Sequence, residues 1–208
     1  MNLVYRPYSE KDFEQCIALI SATWEMLPEN INTPETQRLL AQGYFELCLC
    51  ASDYTQICER DSKVAGFILG LTDKNSYNRE KRKKGLKLLW NLIIGKYGKF
   101  KGRLGYLNSM MKTNAQVESI CRDFDSEVML FIVDSNFRGK GIGRELMNHL
   151  VDYARNNGKK SVYLYTDIRS NRKFYEIYGF TKLADFHDYH LSYVLGKKTM
   201  SFIYKIDL

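Results

Sequence analysis

Two hydrophobic periods alternate along this chain, and their order predicts an α/β protein. Leu3 to Arg6 reads as a first strand. Ser9, three residues ahead of Asp12, opens a helix whose Phe13, Cys16, Ile17, Ile20 and Trp24 fall at helical spacing. Thr33-Pro34-Glu35 is a stronger start, with an N-cap, a proline at the first helical position and an acid in the first turn. That helix is expected to run to about Cys50. Tyr54 to Arg60 and Val64 to Leu71, joined by the polar Asp61-Ser62-Lys63, predict a β-hairpin.

From about Asn78 to Arg122 the period is helical. Leu86, Leu89, Trp90, Ile93 and Tyr97 mark the face expected to pack on the domain, with a turn near Gly98, and a second helix covers roughly Tyr106 to Cys121. Glu127 to Val133 is apolar enough for a strand buried on both faces. A glycine-rich turn follows, then a helix with Ile142, Leu146, Leu150 and Ala154 on one stripe, closed by Gly158. Ser161 to Thr166 predicts a strand, Asn171 to Tyr178 a short helix, and Phe180 onward and Met200 to Leu208 two further strands.

Composition narrows the class. The chain has 208 residues, 45% hydrophobic and 26% charged, which suits one globular domain. The five cysteines form no CxxC or zinc-like set, and the three histidines do not complete one, so no metal and a reducing, cytoplasmic setting are expected. The opening MNLVYRPYSEKDF has no signal-peptide core, and Leu86 to Ile94 is too short and too polar to span a membrane; no membrane partner is expected. The net charge of +7 is local: 79–103 carries ten Lys or Arg against Glu80, which leaves −2 elsewhere. Such a distribution does not favour nucleic-acid binding as the main role.

The chemistry is concentrated in Arg138-Gly139-Lys140-Gly141-Ile142-Gly143-Arg144, between a strand and a helix. Glycines let a ligand approach the main chain, the first helical amides point outward, and Arg138 and Lys140 add charge, a combination suited to a pyrophosphate. A nucleotide P-loop would need GxxxxGK followed by Ser or Thr, and a dinucleotide fingerprint a third glycine where Arg144 or Leu146 stands; both fail.

The remaining pattern, R-x-x-G-x-G after a hydrophobic strand, closely resembles the acyl-CoA-binding motif of the GNAT superfamily of N-acetyltransferases. Tyr175-Glu-Ile-Tyr-Gly-Phe180 is similar to that family's second signature. The order of the flanking elements also fits, with 77–125 unmatched. The resemblance implies a GNAT-like α/β fold: a mixed, mostly antiparallel central sheet flanked by helices, forming one acyltransferase domain over 1–208 with a basic helical insertion at 77–125. It implies that main-chain amides of Gly139, Lys140, Gly141, Ile142, Gly143 and Arg144, aided by Arg138, hold the pyrophosphate of acetyl-CoA. Main-chain groups of Phe131 and Val133 would pair with the pantetheine arm in a wedge between strands 127–133 and 161–167. Tyr175 would lie near the thioester sulfur as general acid. Family members often place an asparagine seven residues before that tyrosine. Here Ile168 holds that position and Asn171, four before, is the substitute candidate for the CoA arm.

The function implied is acetyl transfer from acetyl-CoA directly to an amine, without a covalent acyl-enzyme; the alternative is a non-catalytic acyl-CoA-binding or sensing module. Glu127 and Asp167 are the candidate bases at strand ends, with Glu127 the first choice, although a solvated strand end is the favoured reading of each. Small amines, antibiotics, peptide N-termini and protein lysines are all admitted as acceptors. The basic insertion is expected to lie over the acceptor side.

Overall fold

The computed structural model describes residues 3–73, 79–96 and 102–208; within 79–84 only the side chain of Lys83 is described. Seven strands, β1 (Leu3–Arg6), β2 (Tyr54–Arg60), β3 (Lys63–Leu71), β4 (Ser126–Val133), β5 (Ser161–Asp167), β6 (Thr181–His187) and β7 (Met200–Asp207), form one sheet in the order β1-β2-β3-β4-β5-β7-β6. All neighbours are antiparallel except β4 and β5. The helices are α1 (Phe13–Thr23), α2 (Pro34–Ala51), α3 (Arg79–Ile94), α4 (Arg103–Ile120), α5 (Ile142–Asn156), α6 (Arg172–Tyr178) and α7 (Tyr189–Leu195). This is the mixed, mostly antiparallel sheet flanked by helices that the motifs implied.

Local chemistry explains several boundaries. Thr33 caps α2 by accepting from Thr36 N–H (3.2 Å), with Pro34 behind it. The β2–β3 hairpin turns on Asp61 and Ser62, both at positive φ (51° and 61°), the geometry of a two-residue turn that matches strand twist. α7, short and without a strong sequence signal, follows Asp188, whose side chain accepts from Leu191 N–H (2.8 Å).

Two large apolar clusters sandwich the sheet. One packs α1 and α2 against Phe67, Leu69, Leu130 and Ile132; the other packs the α5 stripe of Ile142, Leu146, Leu150 and Ala154 against Ile68, Val128, Val162 and Tyr204. The expectation that β4 is buried on both faces is corrected: buried and half-buried residues alternate along it. A register shift pairs Leu69 with Leu130 but Gly70 with Val128, so Met129 is an extra residue. At this bulge Met129 and Leu130 both join the α1/α2 side, while Val128, Phe131 and Val133 join the α5 side. The half-buried residues include those that face a cavity, which propensity does not reveal.

α3 overturns a second expectation. Leu88 and Leu92 are the packed residues, whereas Leu86, Leu89, Trp90 and Ile93 are exposed. Apolar residues nearly encircle this helix, so its period admits two stripes, and contact with α2 selects the other one. Tyr97, Gly98 and the side chains of Lys81, Arg82 and Lys84 lie outside the described residues.

Candidate active site

β4 and β5 pair only through Ser126–Val162, Glu127–Tyr163 and Val128–Leu164, although β4 continues to Val133 and β5 to Asp167. Beyond that point they separate. Asp134 N–H donates to Ala65 C=O of β3 (3.0 Å). By strand alternation, the main-chain groups of Phe131 and Val133 therefore face the opening. Arg138 Nε donates to Val133 C=O (3.2 Å), which agrees with that direction.

A short helical turn at Ser135–Phe137 leads from the end of β4 into the glycine turn. Gly139 (φ 75°) and Gly141 (φ 81°) adopt left-handed backbone that a side chain disfavours, although an added Cβ would meet nothing within 4 Å. Gly141 is the N-cap of α5, and the first helical bond runs from Glu145 N–H to Gly141 C=O (3.1 Å). The amides of Ile142, Gly143 and Arg144 thus precede the helical ladder. Gly143 answers a different need: a Cβ there would lie 3.2 Å from the Phe131 ring and 3.4 Å from Phe174, so glycine allows the first turn of α5 to approach β4 and α6. Lys140 Nζ donates to Asn136 C=O (3.0 Å) and rests over the Phe137 ring, while Arg144 lies over Tyr178. Arg138, Lys140 and Arg144 are all exposed.

Where the strands part, a cavity of about 460 Å³ opens, and Glu127, Phe131 and Tyr175 line it together. Tyr175 packs among Phe131, Phe174, Phe180 and Tyr204. Burial pushes its hydroxyl up to about 12; the Thr166 hydrogen bond opposes this and the charge of Asp167 adds to it, so the phenol is protonated at neutral pH. Glu127 is half-buried and accepts from Tyr163 OH. Asp167 is buried on the same cavity, clasped by Arg169 through its backbone N–H and guanidinium (both 2.7 Å). Neither carboxylate is a solvated strand end. Asn171 is not brought to the cavity: it stands exposed at the N-cap of α6.

The opposite wall consists of residues that lie outside both motifs. Trp24 and Met26 come from the loop after α1, Tyr44 and Leu47 from α2, Tyr165 from β5 and His190 from α7. The segment between β3 and β4 contributes Tyr106, Met110 and Thr113 from α4 and Leu89 from α3. Behind this wall Asp188, fully buried, accepts from Tyr165 OH, Thr113 Oγ1 (2.9 Å), Ser201 Oγ (2.7 Å) and Leu191 N–H (2.8 Å). Burial works against its charge, but these donors outweigh it and hold the carboxyl below the usual carboxylate range. One acid thereby ties α4, β5, α7 and β7 together. Burial also pulls His190 down to about 4, against the pull of Asp188, so its ring is neutral at pH 7; it stacks edge-on against Tyr106 at 4.7 Å. No local motif marks these residues; the one available signal was the placement of the 77–125 segment between two strands that flank the cleft.

Solved structures share this architecture. Ard1 from Thermoplasma volcanium superposes with a TM-score of 0.56 at 18% identity, over 100% of this chain and 99% of that one. An agmatine N-acetyltransferase gives 0.61 at 13% identity, over 100% of both chains. The NatC complex bound to Gag peptide and CoA gives 0.52 at 17%, over 100% and 99%. At such identities the likeness establishes the fold. No curated protein matches the chain in sequence. The sequence profile described as the acetyltransferase (GNAT) family, however, matches residues 17–180, most of the chain and both signatures. A parted β4–β5 pair, a glycine turn capping α5 and a family match across both lead to one conclusion: this chain belongs to the GNAT acetyltransferase family.

Proposed function

We propose that the chain is an N-acetyltransferase that moves an acetyl group from acetyl-CoA directly to a primary amine. The observation that carries this reading is the separation of β4 from β5 beside the glycine turn. It leaves main-chain groups of Phe131 and Val133 toward an extended pantetheine arm, and outward amides at 142–144 toward a diphosphate, with Arg138 and Lys140 close by. The relative solved with CoA shares the fold.

A lysine-like amine is neutral in about one molecule per thousand at pH 7, so its deprotonation costs roughly 4–5 kcal/mol. Glu127, on the cavity floor, takes that proton. The nitrogen lone pair then attacks the thioester carbon, and a main-chain N–H at the β4 bulge meets the developing oxyanion. Collapse breaks the C–S bond; Tyr175, still protonated, gives its proton to the departing sulfur, and the nitrogen's remaining extra proton leaves to solvent. Neither a Cys–His nor a Ser–His pair enters this scheme, so no acyl-enzyme is invoked.

Calorimetry with CoA, followed by thiol release from acetyl-CoA across an amine panel, tests the proposal. Saturable heat and amine-dependent thiol release are expected. Heat without turnover on any amine would replace it with the acyl-CoA-sensing alternative, and the absence of heat would remove both.

A further inference from the structure

We infer that the acceptor is a compact primary monoamine whose single amino group is carried on a flat or branched apolar body, held between α2, α4 and β5. This rests on the N-acetyltransferase reading and names the substrate class of that same cavity. The cavity beside the parted strands is lined by Trp24, Tyr44, Leu47, Tyr106 and Met110, together with Tyr165 of β5 itself. Trp24 and Tyr44 meet edge to face at 6.5 Å, leaving ring surface for a guest. Burial, foremost, keeps the phenols of Tyr106 and Tyr165 protonated, and the Tyr165 hydroxyl is already committed to Asp188. His190 is neutral and adds no charge.

The distribution of carboxylates sets the number of amino groups. Glu127, on β4, accepts from Tyr163 OH and lines the cavity, where its carboxylate can also meet one ammonium. Asp167 is neutralised by Arg169 at 2.7 Å, and Asp188 is fully buried behind the wall with four donors of its own. Glu25, the remaining acid of the lining, is exposed to solvent. A second ammonium inside the cavity would lose its water beside an apolar wall, which is costly. A peptide fares no better, because its backbone would need several polar partners and the lining supplies few, Thr113, Asn114, Thr166 and Ser170. Thr113 already donates to Asp188 and accepts from His190 N–H (3.0 Å). A volume of about 460 Å³, shared with the thioester end of the donor, suits a small body.

Thiol release from acetyl-CoA is measured with phenylethylamine, diaminobutane, free lysine and an alanine tetrapeptide. Burying an aromatic ring predicts a KM for phenylethylamine about ten- to a hundredfold lower than for the others. Equal or lower KM for the diamine or the peptide overturns the acceptor class while leaving the transferase reading intact; no turnover with any amine overturns both. A second readout does not depend on turnover. Trp24 and Trp90 are the two tryptophans, and Trp90 is exposed on α3, so a Trp90→Phe variant reports from the cavity alone. Phenylethylamine should change the Trp24 fluorescence saturably and diaminobutane should not; the reverse order overturns the inference.

Discussion

The glycine turn and the apolar wall of the cavity are assembled differently. From Glu127 to Leu146 a single continuous segment supplies the parted strand, both left-handed glycines and the helix N-terminus. The wall opposite collects Trp24, Tyr44, Tyr106, Tyr165 and His190 from five separate elements, and it depends on the buried carboxylate of Asp188. The turn works through backbone groups any residue possesses, so its requirement is conformational and leaves a mark in sequence. The wall works through side-chain surface, which many residue patterns can furnish. On the proposed reading the donor's chemistry fixes the turn, whereas the wall is open to change with the acceptor.

The sharpest way to break this comparison is Asp188→Ala. It would orphan three hydroxyls and one amide, each worth about 1–3 kcal/mol when buried without a partner. Urea denaturation should show a loss of about 4 kcal/mol or more, whereas Lys140→Ala on the exposed turn should change stability by no more than about 0.5 kcal/mol. Similar losses for the two would dissolve the distinction.

Tyr175→Phe comes next. The ring contacts remain while the hydroxyl and its hydrogen bond with Thr166 are lost, so kcat should fall by about 10²–10⁴ with KM nearly unchanged and stability lowered by about 1 kcal/mol. An unaltered kcat across pH would make Tyr175 a packing residue.

Gly141→Ala isolates conformation, because an added Cβ would meet nothing within 4 Å while φ stays at 81°. The strain is about 1–2 kcal/mol, and calorimetry should record a CoA affinity lower by roughly five- to thirtyfold if the turn relaxes on substitution. Unchanged affinity would separate the turn from the cofactor.

A further effect is in pH. His190 is neutral in the fold down to about pH 4 but takes a proton near 6.5 when unfolded. Its contribution to stability is therefore complete above pH 6.5 and is lost as pH falls from 6.5 through about 4. Melting temperatures over that window should decline in the wild type and decline less in His190→Phe, which keeps a ring against Tyr106 and cannot titrate. Parallel declines would show that acid weakens the molecule elsewhere.

Much of the fold was legible in the chain because its signals are local. Thr33-Pro34, the Asp61-Ser62 turn and the α5 stripe each carry their own physical reason within a few residues. The packed face of α3 is not legible in sequence, because a helix apolar on nearly all sides has no preferred face until a neighbour chooses one, and α2 chose Leu88 and Leu92. β4 was read as buried on both faces because an apolar run does not disclose that a cavity covers part of it.

The sequence alone determined the strand–turn–helix of 127–146, with glycine wherever φ must be positive, and the second signature ending at Gly179-Phe180. Backbone sterics act between adjacent residues, so they are written in order along the chain. Only the tertiary structure decided that α4 and α7 close the cavity, that Asp188 binds four elements and that His190 is neutral. Burial and the hydrogen bonds of a buried carboxylate arise from residues distant in sequence, and they exist only once the chain has packed.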